Sequence, residues 1–131
     1  MSIFKRKEAL SLGVRGEKAA IKYLKKMGYK ILASNFFNAS GRRLGEIDIV
    51  AKDGNELVFV EVKTRGVFSK DGPPPEESIT PTKLYKLNKA ASFYISKNKL
   101  FDSPYRFDAI TLLADTESSY AKLRHLKNIF L

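Results

Sequence analysis

Apolar residues recur at helical spacing from Gly13 to Met27, where Ala20, Ile21, Leu24 and Met27 mark one face and Gly28 supplies a C-terminal stop. Glu17 falls on that apolar stripe, four residues before Ile21. The period then shortens to that of strands. Tyr29 to Ser34 reads as a first strand, and Asn35 to Arg43 as a polar, turn-rich loop carrying Arg42 and Arg43. Gly45 to Ala51 and Glu56 to Lys63 form the strongest strand pair, since both are rich in β-branched residues and Asp53-Gly54-Asn55-Glu56 suits a tight hairpin. The second strand is apolar on both faces, with Val58, Val60 and Val62 on one and Leu57 and Phe59 beginning the other, as a central strand covered on both sides requires. Glu61 and Lys63 finish that second face, where charge is unexpected.

From Thr64 to about Thr80 the chain turns to Gly, Pro and charge, a connection long enough to suggest a functional loop. Thr80 has the character of an N-cap with Pro81 at the first helical position, and Leu84, Leu87, Ala91 and Ile95 mark the buried face of a second helix. Lys83, Lys86 and Lys89 lie mainly off that face. Arg106 to Leu113 reads as another strand, and Ala121 to Leu131 as a short strand or helix. The resulting order αβββαβ describes an α/β fold, a mixed sheet with a helix on each side. With 131 residues, no internal repeat and no separate linker, the expectation is one domain over residues 1–131.

Charge narrows the partners. Lys and Arg number 24 against 14 Asp and Glu, a formal net charge of +10. Such an excess favours a polyanion, usually nucleic acid and less often an anionic membrane surface. Cysteine is absent, which excludes disulfides, zinc ribbons and thiol catalysis. No run approaches a signal sequence or a membrane span, so the expected location is cytoplasmic, with no membrane partner. The single histidine, His125, argues against histidine-rich metal sites; it lies in an alternating segment where a structural role is expected.

The hairpin places the candidate chemistry. With Gly54-Asn55 as the loop and Asp53 opposite Glu56, antiparallel pairing carries Asp48 opposite Glu61 and Glu46 opposite Lys63. Opposite β-carbons are roughly 4.5–5.5 Å apart, close enough for two carboxylates to share one divalent cation. Glu61 and Lys63, two apart on one strand, project together, so metal and lysine can act on one phosphate. Hard carboxylate oxygens suit Mg²⁺, with Mn²⁺ as a substitute, and Lys63 would orient a water or steady developing negative charge. A solvated strand end with a Glu46–Lys63 ion pair is the structural alternative. Directly opposed carboxylates carry a repulsive cost that a cation removes, which favours the metal. Glu17 needs a partner if its helix packs on the sheet; it either approaches the same cation or reaches water at the helix margin.

Gly13-x-x-Gly16-Glu17-x-x-Ala20, Gly45-Glu-Ile-Asp48, Val58-Phe-Val-Glu-Val-Lys-Thr-Arg65 and Arg106-Phe-Asp108, in that order, resemble the YraN family, small bacterial proteins similar to archaeal Holliday junction resolvases in the restriction-endonuclease-like, PD-(D/E)xK superfamily. The resemblance runs from Gly13 through Asp108, most of the chain. It implies Glu17, Asp48, Glu61 and Lys63 as active-site residues, the Val62 backbone carbonyl as a further metal ligand, and dimerisation as an option carried by the resolvases. One departure is Asn35-Phe-Phe, where family members often carry an arginine two residues after the asparagine; Arg42 or Arg43 is the substitute available.

The leading expectation is therefore a Mg²⁺-dependent endonuclease that hydrolyses phosphodiester bonds in DNA, with branched DNA as a candidate substrate. Arg42, Arg43, Arg65, Lys83 and Lys86 are the residues expected to hold phosphates. The alternatives are a non-catalytic nucleic-acid-binding protein that keeps the nuclease fold, and an interaction protein whose charge serves protein contacts.

Overall fold

The computed structural model describes residues 3–37, 46–66, 80–114 and 120–129; Arg42, Arg43 and most of the Gly- and Pro-rich connection lie outside the described residues. Helix α1 spans Ile3–Lys26, followed by strands β1 (Lys30–Phe37), β2 (Glu46–Asp53) and β3 (Glu56–Gly66), helix α2 (Pro81–Lys97), and strands β4 (Tyr105–Ala114) and β5 (Tyr120–Leu126). One five-stranded sheet has the order β1-β2-β3-β4-β5. β3 pairs in parallel with β4, and the other neighbours are antiparallel. A parallel pair cannot be joined by a hairpin, and α2 supplies the crossover between β3 and β4.

Central β3 sorts the core by alternation. Val58 and Val60 join Ala20, Leu24, Ile110 and Leu112 in the cluster beneath α1. Leu57 and Phe59 join Leu87, Ala90, Ala91, Tyr94 and Phe107 beneath α2. The expected mixed α/β sheet with a helix on each face is therefore observed, and β3 is the strand covered on both sides. Leu84 and Ile95, expected in the buried face of α2, are only partly buried; Ala90 and Tyr94 take the interior positions.

Local signals explain the element ends. Gly28 adopts a φ of +93°, and the Tyr29 amide donates to the Leu24 carbonyl at 2.9 Å, closing α1 with a left-handed cap. Thr80 Oγ1 accepts from the Lys83 amide at 3.2 Å and Pro81 opens α2, as expected of that pair. At its other end α1 begins at Ile3 rather than Gly13. Residues 5–10 are Lys, Arg, Lys, Glu, Ala and Leu, good helix formers that extend a helix without an apolar stripe to announce it. β1 continues to Phe37, through part of the stretch read as a loop, and the last segment is a strand, with Lys122 and Arg124 exposed between the partly buried Leu123 and His125.

The β2–β3 register is the expected one, from Asp53↔Glu56 to Ile49↔Val60, and the ladder stops there, one residue short of Asp48. On the other side of β2, Asp48 lies between the pairs Ser34↔Ile49 and Phe36↔Ile47, opposite Asn35, whose φ is +53°. The face pattern slips at this point. Ile49 packs beneath α1 and Val50 beneath α2, yet Ile47 also packs beneath α2. Asp48 is thus turned out of regular alternation at the end of the sheet.

The hairpin end carries a buried polar network. Asp108, fully buried, lies 2.7 Å from His125 Nε2 and accepts from Arg106 Nε at 3.0 Å and the Asn128 amide at 3.0 Å. Arg106 also donates to Glu56 at 2.6 Å, Asp53 at 3.2 Å and the Tyr29 hydroxyl at 2.8 Å. An imidazole protonated at Nε2 satisfies Asp108 and leaves Nδ1 to accept from the Tyr23 hydroxyl, 3.0 Å away. Burial alone would push the Asp108 carboxyl up, but hydrogen bonds from His125, Arg106 and Asn128 outweigh it and hold the group below its ordinary range. The network ties α1, the hairpin, β4 and β5 together. Asp108→Ala, which leaves a largely buried guanidinium and His125 without their carboxylate, is expected to cost about 3–5 kcal/mol in urea denaturation; a loss below about 1 kcal/mol would show that the network does not hold these elements.

Candidate active site

Asp48, freed from the ladder, uses its carboxylate where a strand would use its backbone: Oδ2 accepts from the Val62 amide at 2.8 Å. This bond fixes the side chain at the edge of β3, where the Glu61 carboxyl is its hydrogen-bonding neighbour. The two expected partners are therefore together, although no regular ladder pair joins them.

The pair separates two clefts. One, of about 400 Å³, lies on the α1 side and is lined by Glu17, Glu46, Asp48, Val62 and Lys63 among others. The second, of about 230 Å³, lies on the α2 side and is lined by Glu46, Glu61, Lys83, Lys86 and Leu87. Lys63 and Glu61 thus line different clefts, although alternation along β3 places them on one face. Lys83 Nζ is 3.7 Å from Glu61 Oε1.

Glu17 reaches the site because α1 comes unusually close to β3. Gly16 is buried, and a β-carbon built there would lie 2.0 Å from Thr64 Oγ1. A side chain there would require Thr64 or the helix to give way, and a shift of the helix would carry Glu17 with it. Glu17 Oε1 is shielded from solvent and has no hydrogen-bond partner among the described residues.

Electrostatics follow from this crowding. Burial, then the neighbouring Asp48 carboxylate, push Glu61 from an ordinary value of 4.5 up to about 7. Burial also raises Asp48 against the Val62 hydrogen bond, and burial together with Asp48 and Glu46 raises Glu17. Lys63 is lowered, by burial first and by the adjacent Lys83 next. Acids pushed up and a lysine pushed down at one place mark a cluster arranged against its own charge.

A hard cation suits the donor set. Asp48 and Glu61 offer oxygens side by side, and the unpartnered Glu17 Oε1 is a buried acceptor in want of a donor or an ion. Among the described residues no three Asp, Glu, His or Cys side chains close into a preformed cage. Mg²⁺ does not need one, since it keeps several waters and binds through one or two carboxylates plus substrate oxygens.

Glu17, Asp48, Glu61, Val62 and Lys63 thus gather at one end of the sheet. Arg65 lies half-buried further along β3, and Lys86 lines the α2-side cleft. Arg42 and Arg43 lie outside the described residues. The Glu46–Lys63 ion pair that the structural alternative required is not found among the described residues; Glu46 instead lines both clefts. Its place in Gly-Glu-Ile-Asp, two before Asp48, was the available sign that it belongs to the site. Gly16 was visible only as part of a motif, because no sequence pattern reports which glycine another element approaches.

A mixed five-stranded sheet, a helix on each face and acidic groups where β2 parts from the central strand are consistent with a restriction-endonuclease-like core. Residues 16–112 match the uncharacterised protein family UPF0102, the YraN family, and the chain belongs to it. Among its relatives, a UPF0102 protein of Thermodesulfovibrio yellowstonii is 45% identical over 121 residues, 92% of this chain and 96% of that protein. UPF0102 proteins of Caldicellulosiruptor saccharolyticus and Geotalea uraniireducens are 42% and 40% identical, over 91% and 92% of this chain and 96% and 89% of their own lengths. Among the described residues no helix is long and apolar enough to cross a membrane.

Two outcomes test this geometry. Gly16→Ala is expected to destabilise the protein by about 1–3 kcal/mol through overpacking, and adding Thr64→Ala should recover most of that loss. Additive losses would place the strain elsewhere. The pH dependence has a definite sign. Glu61 binds its proton more tightly folded than unfolded, so this contribution to stability is complete below about pH 4.5 and is lost as pH rises through about 7. Melting temperature without divalent ions should therefore fall across that window relative to Glu61→Gln; parallel curves for the two proteins would contradict the shift.

Proposed function

We propose that this chain is a Mg²⁺-dependent endonuclease that hydrolyses phosphodiester bonds in nucleic acid, with DNA, including branched DNA, as the substrate. The observation that carries the reading is the Asp48–Glu61 carboxyl pair where the β2–β3 ladder ends, with Lys63 and Lys83 beside it. A carboxyl pair alone would repel a phosphate backbone. Joined to two lysines in a chain of net charge +10, it suits a polyanion whose charge a cation helps to neutralise.

Asp48 and Glu61 would hold the ion, with Glu17 Oε1 and the Val62 carbonyl as further oxygen donors. When bound, Mg²⁺ supplies Lewis acidity to a water and a phosphoryl oxygen; Mn²⁺ serves the same chemistry. The Val62 amide keeps Asp48 oriented so that its second oxygen remains available. Lys63, in the α1-side cleft, faces the position of the scissile phosphate and balances charge as it develops. Lys86 on α2 and Arg65 at the end of β3 extend the phosphate track, with Arg42 and Arg43 assigned to it from the sequence. A cytoplasmic location belongs to this reading, and a homodimer follows only from the likeness to resolvases.

One observation favours a non-catalytic nucleic-acid-binding protein: Glu61 already has a cationic partner in Lys83. Cleavage separates the two readings. Purified protein with Mg²⁺ is expected to cut at least one of single-stranded, duplex, flap or four-way DNA. Glu61→Gln and Lys63→Ala should abolish cutting while changing DNA affinity by no more than about tenfold, roughly 1.4 kcal/mol. No ion-dependent cleavage of any form by the unaltered protein would leave the binding reading in its place.

A further inference from the structure

We infer that Lys83 is part of the active centre, the cation that balances Glu61 until a divalent ion takes its place and that then turns to the scissile phosphate. This rests on the nuclease reading and adds a residue and an order of events to it. The geometry is specific. Lys83 stands in the first turn of α2, its backbone amide fixed by Thr80 Oγ1, and its Nζ lies 3.7 Å from Glu61 Oε1. That separation is an ion pair too long for a strong hydrogen bond, so the ammonium is held by charge and is free to leave. The Lys83 side chain is 42% exposed while that of Glu61 is 20% exposed, which gives the lysine room to move and the carboxylate little.

Lys83 and Lys63 adjoin each other although both are cations. Two ammonium groups thus stand beside the Asp48 and Glu61 carboxylates. A divalent ion at Asp48 and Glu61 would take up those carboxylates and leave the two adjoining lysines short of negative charge. A phosphate oxygen is the chemistry that fills that gap. Metal and phosphate should therefore bind with positive coupling, each raising the affinity for the other by the same factor.

The test uses Mn²⁺ alone, titrated by calorimetry into the protein without DNA. Lys83→Met, or Lys83→Gln should methionine disturb the helix, is expected to bind Mn²⁺ at least about fivefold more tightly than the unaltered protein, because the ion no longer displaces a lysine. At saturating Mn²⁺ the same variants should cut DNA more slowly, so affinity and cleavage move in opposite directions. Lys83→Arg, which keeps the charge, should bind Mn²⁺ like the unaltered protein, and Lys89→Met, which loses the same charge further along α2, should change Mn²⁺ affinity less than about twofold. Mn²⁺ affinity of the neutral Lys83 variants matching that of Lys89→Met, or cleavage undiminished in them, overturns the role of Lys83 alone. No Mn²⁺ binding by the unaltered protein overturns the metal reading, and this inference with it.

Discussion

The hydrogen bond from the Val62 amide to Asp48 Oδ2 is the point at which β2 and β3 stop pairing through their backbones, while β3 stays paired with β4 as far as Gly66. Up to Ile49↔Val60 the two strands satisfy each other through their backbones. One step further, the Asp48 side chain takes over the amide of a partly buried residue. That substitution lets the strands part without leaving the donor unsatisfied, and it holds a carboxylate against the edge of the central strand. The two clefts and the approach of Glu17 are arranged around this fixed group.

The two ends of the sheet treat buried charge in opposite ways. At the hairpin end Asp108 has hydrogen bonds from Arg106, His125 and Asn128, and its carboxyl is held down in the charged form. At the other end Glu17, Asp48 and Glu61 are all pushed up, and Glu17 Oε1 has no hydrogen-bond partner among the described residues. A protein able to surround one buried carboxylate with donors has gathered three partly buried ones close together and left an oxygen of Glu17 without a donor among the described residues. Satisfied networks rigidify a fold, whereas unsatisfied ones are places where a ligand can gain free energy. The stability of one end thus supports the incompleteness of the other.

Much of this was legible in the residues. Asp53-Gly-Asn-Glu set the hairpin register, Thr80-Pro81 opened α2, and the two-sided run from Leu57 to Val62 identified the central strand. Those signals are local, and local chemistry determines them. The slip at Asp48 was not legible, because strand alternation is a regular rule and the break depends on how β1 and β2 bend together at Asn35. Lys83 read only as one of several basic residues expected to hold phosphates, since its pairing with Glu61 depends on where the crossover delivers the first turn of α2. The need for glycine at position 16 depends in the same way on Thr64, a contact between elements far apart in the chain.

The reading of this site turns on a divalent ion held between Asp48 and Glu61, and diffraction from crystals grown with Mn²⁺ addresses it directly. An anomalous peak is expected with oxygens of both carboxylates within roughly 2.0–2.6 Å, and it should disappear in Asp48→Asn crystals grown the same way. A peak confined to other residues, or none at a concentration that saturates cleavage, would contradict a metal-dependent active site at this place.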